Sequence, residues 1–292
     1  MESLPLLGIL FAILASTNLN VGKGIQKWKV RVFGHGRAMF SPEHRRDLLL
    51  WFCGFLLTSS ATVLYSLALL YTDKPSTVSS MNGVGMIGLV IFAWVVLRER
   101  IGVQEIGGAL LVLAGVTVMG YFDVPLEDGQ QFTLGPFFLC ILATAVVFVP
   151  LAIYSWKTNH FYGFTFGAIP GILIGISIMI GDMALVRASD SFLGQLRYPH
   201  PYVALAVGTG ALVLTQFAFW RARAMVVVPT TNSFVILTPA IYQILTFDTR
   251  LLPIQWAAVG AIVLGVILLT ATSKQDRMVL VGQEEPPAAE TP

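Results

Sequence analysis

The sequence predicts an all-α protein, a polytopic membrane bundle of about nine transmembrane helices with an inverted internal repeat, on three observations. The first is composition. Hydrophobic residues make up 55% of the 292 and charged residues 12%, with mean hydropathy +0.76, whereas a soluble domain carries about 25% charged residues. The second is the recurrence of apolar runs that can cross a hydrocarbon core about 30 Å thick, which takes about 20 helical residues. The third is a unit of helix, charged turn and helix that occurs twice, 150 residues apart: VSSMNGVGMIGLVIFAWVVLRERIGVQEIGGALLVLAGVTVM (Val78 to Met119) and VPTTNSFVILTPAIYQILTFDTRLLPIQWAAVGAIVLGVILL (Val228 to Leu269).

Taken in order, the apolar runs cover residues 4–21, 47–71, 76–97, 102–121, 134–154, 162–187, 201–221, 225–247 and 254–272. The start MESLPLLGIL has no basic stretch and no small-residue cleavage site, so it reads as a retained first helix with its N-terminus outward. Asn18, Asn20 and Lys23 are expected to end that helix by capping and snorkelling. The segment 22–46 then reads as a basic loop in which Trp28, Val30, Val32 and Phe33 interleave with cations. It suits either the anionic inner leaflet or a solvated loop whose charges set topology. Between the third and fourth runs, Arg98, Glu99 and Arg100 form a charged turn. The tail from Lys274, rich in Pro, Ala and Glu, lacks the apolar surface to fold.

Charge placement orients the bundle. With 22–46 in the cytoplasm, 14 of the 18 Lys and Arg fall inside, and only Lys74, Arg187, Arg197 and Arg250 fall outside. The expected topology is an integral protein of the cell (inner) membrane, N-terminus outside and C-terminus cytoplasmic. Residues 1–121 form an N-terminal half of four helices, 122–133 a connecting loop, 134–273 a C-terminal half of five helices, and 274–292 the tail.

Identities between the two copies are few: Val78/Val228, Asn82/Asn232, Ile91/Ile241, Arg100/Arg250, Gly115/Gly265 and Val116/Val266. Apolar matches are cheap in so apolar a chain, so the Asn and Arg pairs carry the argument. The third and fourth helices correspond to the eighth and ninth. A shift of five helices reverses direction, which demands a pseudo-two-fold axis in the membrane plane. The sixth helix is expected to lack a counterpart.

The turn RERIGVQEIGGALLVLAGVTVMG resembles the "GER" turn and small-residue helix of the drug/metabolite transporter superfamily in its EamA-type repeat. The stretch FWRARAMVVVPTTNSFVILTPAIYQ resembles the matching second-half pair, with Pro239 at its helix proline, and Thr215 and Gln216 match a TQ of the NIPA-type magnesium transporter branch. Nine helices and a long basic first loop are also most similar to that branch. The departures concern the chemistry. LLTSSATVLYSLAL offers Ser59, Ser60 and Thr62 where that branch carries a carboxylate, SSMNGVG replaces its TPLGA, and Asp182 stands where it carries a lysine.

Candidate functional residues follow from the cost of polar groups in a membrane. Asp182 is the one acid well inside an apolar run, five residues before Arg187, and reads either as a proton or cation coupling site or as an acid reached by outer water. Asn82 and Asn232, with Ser79, Ser80 and Thr231, and Gln216 in the seventh helix, suit a polar solute site; helix packing is the alternative for the asparagines. Gly83, Gly85, Pro229 and Pro239 would permit unwound or kinked helix there. Cys53 and Cys140 lie in apolar runs, where a thiol packs, so no disulfide is expected.

His35, His44, His160 and His200 have no ligand spacing, and phosphate-binding loops and nucleophile elbows are lacking, so no enzyme, cofactor or nucleic-acid partner is expected, and a metal site stays open. The expected function is a secondary transporter moving a small polar or cationic solute by alternating access. The resemblance implies a Mg²⁺ or divalent-cation permease as an alternative, and a non-transporting scaffold or sensor is a third. The partners are the solute or ion and the lipid membrane, with the oligomeric state, a homodimer included, left open.

Overall fold

A computed structural model describes residues 5–71, 81–122, 133–187, 194–247 and 250–272. Nine α-helices lie in those residues: α1 (Pro5–Lys29), α2 (Pro42–Leu70), α3 (Gly85–Val95), α4 (Val103–Tyr121), α5 (Leu134–Thr158), α6 (Tyr162–Arg187), α7 (His200–Arg221), α8 (Ala224–Thr246) and α9 (Pro253–Thr272). Three 3-10 segments, Val30–Phe40, Met81–Gly83 and Gly194–Arg197, complete the described secondary structure. Eight of the helices are long and apolar enough to cross a membrane, and the chain is an integral membrane protein by that measure. The ninth, α3, has 11 residues, about 16 Å at 1.5 Å per residue. The sequence places a full span at 76–97; residues 76–80 of it lie outside the described part.

Two helices are central. The apolar windows of α6 and α8 are 61% and 67% buried inside the bundle, against 11% for α2 and α5, whose surfaces are left for lipid. A glycine ladder explains the α6–α8 contact: Gly163, Gly167, Gly171 and Gly175 recur every fourth residue and form one face of α6. A Cβ on Gly171 would sit 2.5 Å from the Thr231 carbonyl oxygen, so only glycine lets the backbones meet. Because Pro229 and Pro239 lie inside a continuous α8, the expected unwinding around Asn232 does not occur. The hydroxyl of Ser233 donates to the Pro229 carbonyl at 2.8 Å within the same helix.

On the other side α4 packs on α9 through two glycine contacts. A Cβ on Gly108 would lie 2.8 Å from the Gly265 carbonyl oxygen, and one on Gly115 would lie 2.8 Å from that of Ala258. As the number rises along α4 it falls along α9, so the pair is antiparallel.

The first helix corrects the sequence reading. Instead of ending near residue 21, α1 continues to Lys29, and Lys23 and Gln26 are buried within it rather than solvated or snorkelling. Its continuation rests on a close crossing with α2: a Cβ on Gly22 would lie 2.7 Å from the Gly54 carbonyl, and one on Gly54 2.9 Å from that of Gly22. Beyond it, Val30–Phe40 is folded onto the bundle, with Val30 and Val32 buried and Gly34 against the Trp220 ring, while Arg31 and Arg37 remain exposed. Gly36, at φ 53°, makes the bend that only glycine adopts freely.

The two ends of the bundle differ in charge. At one end Lys27 Nζ donates to the Phe219 carbonyl at 2.5 Å, and Arg223 meets the α3–α4 turn. Arg45, Arg46, Arg98, Arg100, Lys157 and Arg221 belong to the loops and helix ends there. At the other end Thr133 Oγ1 donates to the Thr246 carbonyl at 2.6 Å, and the cations in the described backbone are Arg187, Arg197 and Arg250.

Candidate functional site

A cavity of about 210 Å³ lies where α1, α2 and α4 of the first half face α6, α7 and α8 of the second. Its polar edge is Lys23 and Gln26 of α1, Thr58 of α2, Thr215 and Gln216 of α7, and Asn232 of α8. Leu19, Val116, Ile174, Leu212, Val235 and Ile236 form apolar walls opposite.

Helical periodicity places the α1 groups. Ser16, Asn20, Lys23 and Lys27 recur at intervals of four, three and four, which keeps them along one face, with Gln26 beside Lys23. That face meets α8: Lys23 Nζ donates to Asn232 Oδ1 at 2.8 Å, and Asn232 Nδ2 donates to Asn20 Oδ1 at 2.7 Å. Asn20 Nδ2 donates in turn to the Ser16 carbonyl at 2.9 Å, and Ser16 Oγ accepts the Gly85 amide at 2.8 Å. A polar chain therefore runs from the first turn of α3, through α1, to the middle of α8. Gly85 is required there, because its Cβ would stand 2.0 Å from the Ser16 carbonyl oxygen.

A second chain borders the cavity. Trp51 Nε1 donates to Gln216 Oε1 at 3.0 Å, Gln216 Nε2 donates to Gln26 Oε1 at 2.8 Å, and Gln26 Nε2 donates to Thr58 Oγ1 at 2.9 Å. Hydrogen bonds of this kind across helices are worth roughly 0.6–2 kcal/mol each in a membrane.

The structure brings together some of the residues the sequence singles out. Asn232 and Gln216 line the cavity. Thr231 turns away, its hydroxyl donating to the Gly167 and Val227 carbonyls at 2.9 and 2.8 Å, and serves the α6–α8 contact. Ser79 and Ser80 lie outside the described residues, as do the side chains of Asn82 and Asp182, whose backbones sit in the Met81–Gly83 turn and in α6. Lys23, Gln26, Asn20 and Thr58 were not anticipated as site residues. The signal for them was present in the polar stripe of α1, which runs straight through the point where hydropathy alone ends the helix.

The charged turn at the basic end does more than set topology. Glu99 caps α8, its carboxylate accepting the Ala224 and Met225 amides at 2.8 and 3.2 Å, where a helix N-terminus favours an anion. Glu105, 2% exposed, caps α4 by accepting the Gly102 amide at 2.8 Å and takes Arg223 Nη1 at 2.5 Å. Arg223 also donates to the Arg100 carbonyl and lies 3.8 Å from Glu99. Burial holds the Glu99 carboxyl above its ordinary range; the two amides, Arg223 and Lys27 offset that only in part.

Comparison with family models, curated proteins and solved structures gives no match. The functional reading therefore rests on the cavity and the helices around it.

Proposed function

We propose that this chain is a secondary transporter that moves a small polar solute by alternating access, with the cavity between its halves as the solute site. The observation that carries the reading is the cavity's place: both halves supply its walls, and Lys23, Gln26, Thr215 and Asn232 of its polar edge are buried within the bundle. Inverted-repeat carriers hold solute where the repeats meet.

Two further observations support an inverted repeat. Adding 150 to each position of the first half, and subtracting it in the second, turns the Gly108–Gly265 contact into Ala258–Gly115, which is the other glycine contact of α4 and α9. Two antiparallel helices are related locally by a two-fold, and this register centres it on equivalent positions of the two copies. An antiparallel pair related this way has its axis across the helices, in the membrane plane. The capping turns repeat as well: Glu105 accepts the Gly102 amide and Gln255 accepts the Leu252 amide, each pair again 150 apart. Under this relation α6 corresponds to α1 and α5 is the unmatched helix, in place of the sixth.

Lys23 on the wall disfavours a cation, so of a polar or cationic solute the polar one is retained. Hydrated Mg²⁺ prefers carboxylates and waters, and the described lining supplies an ammonium and amides instead. That donor set does not fit the permease the NIPA-type resemblance implies, while the EamA-type resemblance agrees with a solute carrier. Asp182 remains the proposed coupling group. The excess of Lys and Arg at one end puts that end, and with it the C-terminus, in the cytoplasm. Removing Lys23 and Lys27 from the loop leaves the excess on the same side.

Counterflow in proteoliposomes tests the reading. A panel of neutral, acidic and basic metabolites should include at least one whose uptake saturates and is accelerated by the same solute inside. Gln216→Ala should reduce that exchange about tenfold in protein that still melts cooperatively. No exchange of any panel member by folded protein would favour the scaffold reading instead.

A further inference from the structure

Lys23 is 7% exposed, and its ammonium carries three donors. Among the described residues it meets one acceptor, the neutral amide oxygen of Asn232. The ion pairs of the described residues engage Lys29 and Arg223, and none engages Lys23. A buried charge is costly unless it is paired, and in membrane spans such groups face a partner or a cavity. Here the cavity is adjacent, because Lys23 lines it.

The hydrogen-bond inventory of the edge has a sign. Every amide oxygen along it already accepts a bond: Asn232 from Lys23, Gln26 from Gln216, and Gln216 from Trp51. The Thr58 and Thr215 hydroxyls donate to the Gly54 and Ala211 carbonyls at 3.0 and 2.8 Å. The hydrogens left over are two on Lys23 and one each on the Gln216 and Asn232 amides, against spare lone pairs on neutral oxygens only, so the edge carries a net positive charge. A group that only accepts satisfies such an edge, and an ionised carboxylate is that group. The remaining walls, including Leu212, Val235 and Ile236, suit a hydrocarbon body. The volume of about 210 Å³ lies below the ~300 Å³ at which pockets for drug-sized ligands begin, which suits a small occupant.

Resting on the carrier reading above and naming its substrate class, we propose that the cavity binds a small organic anion, its carboxylate against Lys23 and Gln216 and its short apolar body against the walls of α7 and α8.

Matched probes separate charge from shape. Pentanoate, pentanamide and pentylammonium share a chain and differ in head group, so their binding to the full-length protein in detergent, read by thermal shift and calorimetry, isolates the head. Pentanoate should bind at least tenfold tighter than pentanamide, with no binding of pentylammonium. Lys23→Gln should abolish that preference, and Lys23→Arg should restore it, which shows that the charge and not the fold was lost. Equal binding of the acid and the amide, or a preference that survives Lys23→Gln in protein that melts normally, overturns the proposal. The carrier reading is tested apart from it with 1-butanesulfonate, which stays ionised and does not leak through bilayers as a neutral acid. Pentanoate preference with no counterflow of the sulfonate upholds the anion site and removes the carrier reading; counterflow of neutral solutes with no acid preference does the reverse.

Discussion

The two capping turns share a backbone design and differ in charge. At the basic end Glu105 caps the start of α4, and at the other end Gln255 caps the start of α9, 150 residues on, each buried and each bonded to the amide three residues before it. Glu105 then reaches Arg223, whereas the Gln255 amide donates to the Phe122 carbonyl at 3.0 Å. One end is closed by an ionic cluster that joins the α3–α4 turn to α8, the other by neutral hydrogen bonds. The comparison teaches that helix capping is satisfied by either residue, so the charge at position 105 is needed for Arg223 and not for the turn. A carrier whose ends open alternately would break charge-assisted bonds at one face and neutral ones at the other, and the two openings would differ in cost.

The largest expected effect comes from Arg223→Gln. It leaves Glu105 and Glu99 buried without their cation, which costs about 3–5 kcal/mol, and should appear as a clear fall in melting temperature in detergent. Glu105→Gln combined with it should recover part of the loss; a double variant less stable than Arg223→Gln would show that the cluster is not the stabilising unit.

Next in size are the glycines that the proposed two-fold makes equivalent. Gly115→Ala and Gly265→Ala, equivalent positions under the proposed 150-residue relation, both force a methyl into the opposing backbone, and overpacking of this kind costs about 1–3 kcal/mol. Equal losses sharpen the symmetry; a neutral result at one of them breaks it.

Swapping the caps is expected to have effects of comparable size but uneven between the two ends. Glu105→Gln keeps the Gly102 cap and loses one charge-assisted bond, about 1.5–3 kcal/mol. Gln255→Glu must pair a carboxyl with the Phe122 carbonyl, which only its protonated form can do, so its melting temperature should rise as pH is lowered, where that of the native protein does so less.

The smallest effect is the pH dependence of Glu99. Its carboxyl is held above the ordinary range by burial, so the folded state binds this proton more tightly than the unfolded state. The contribution is complete below the ordinary carboxylate range and is lost as pH rises through the raised value. Melting temperatures across that window should decline less with rising pH in Glu99→Gln than in the native protein.

Much of this was legible in the chain. Hydropathy located most helices to within a few residues but ended α1 eight residues early, the Lys and Arg excess marked one end, and the 150-residue offset aligned Gly115 with Gly265. Asn232 and Gln216 stood out because a polar group in an apolar run demands a partner. Lys23 was misread because hydropathy ends a span at the first lysine. Whether a helix continues past it depends on what covers that lysine, and the cover comes from Asn232, 209 residues away. Thr231 lies outside the cavity lining for the complementary reason: adjacent positions on a helix point in directions about 100° apart, so Asn232 faces the cavity and its neighbour faces α6.

By itself, then, the sequence determined that the chain is an α-helical membrane protein, because composition and run length are local and the bilayer leaves the backbone few other choices. Which polar residues share a cavity, which glycines touch, and which of two equivalent caps carries an ion pair were decided only by the tertiary structure. Those outcomes depend on helix rotation and crossing, which are set by contacts between residues far apart in the chain.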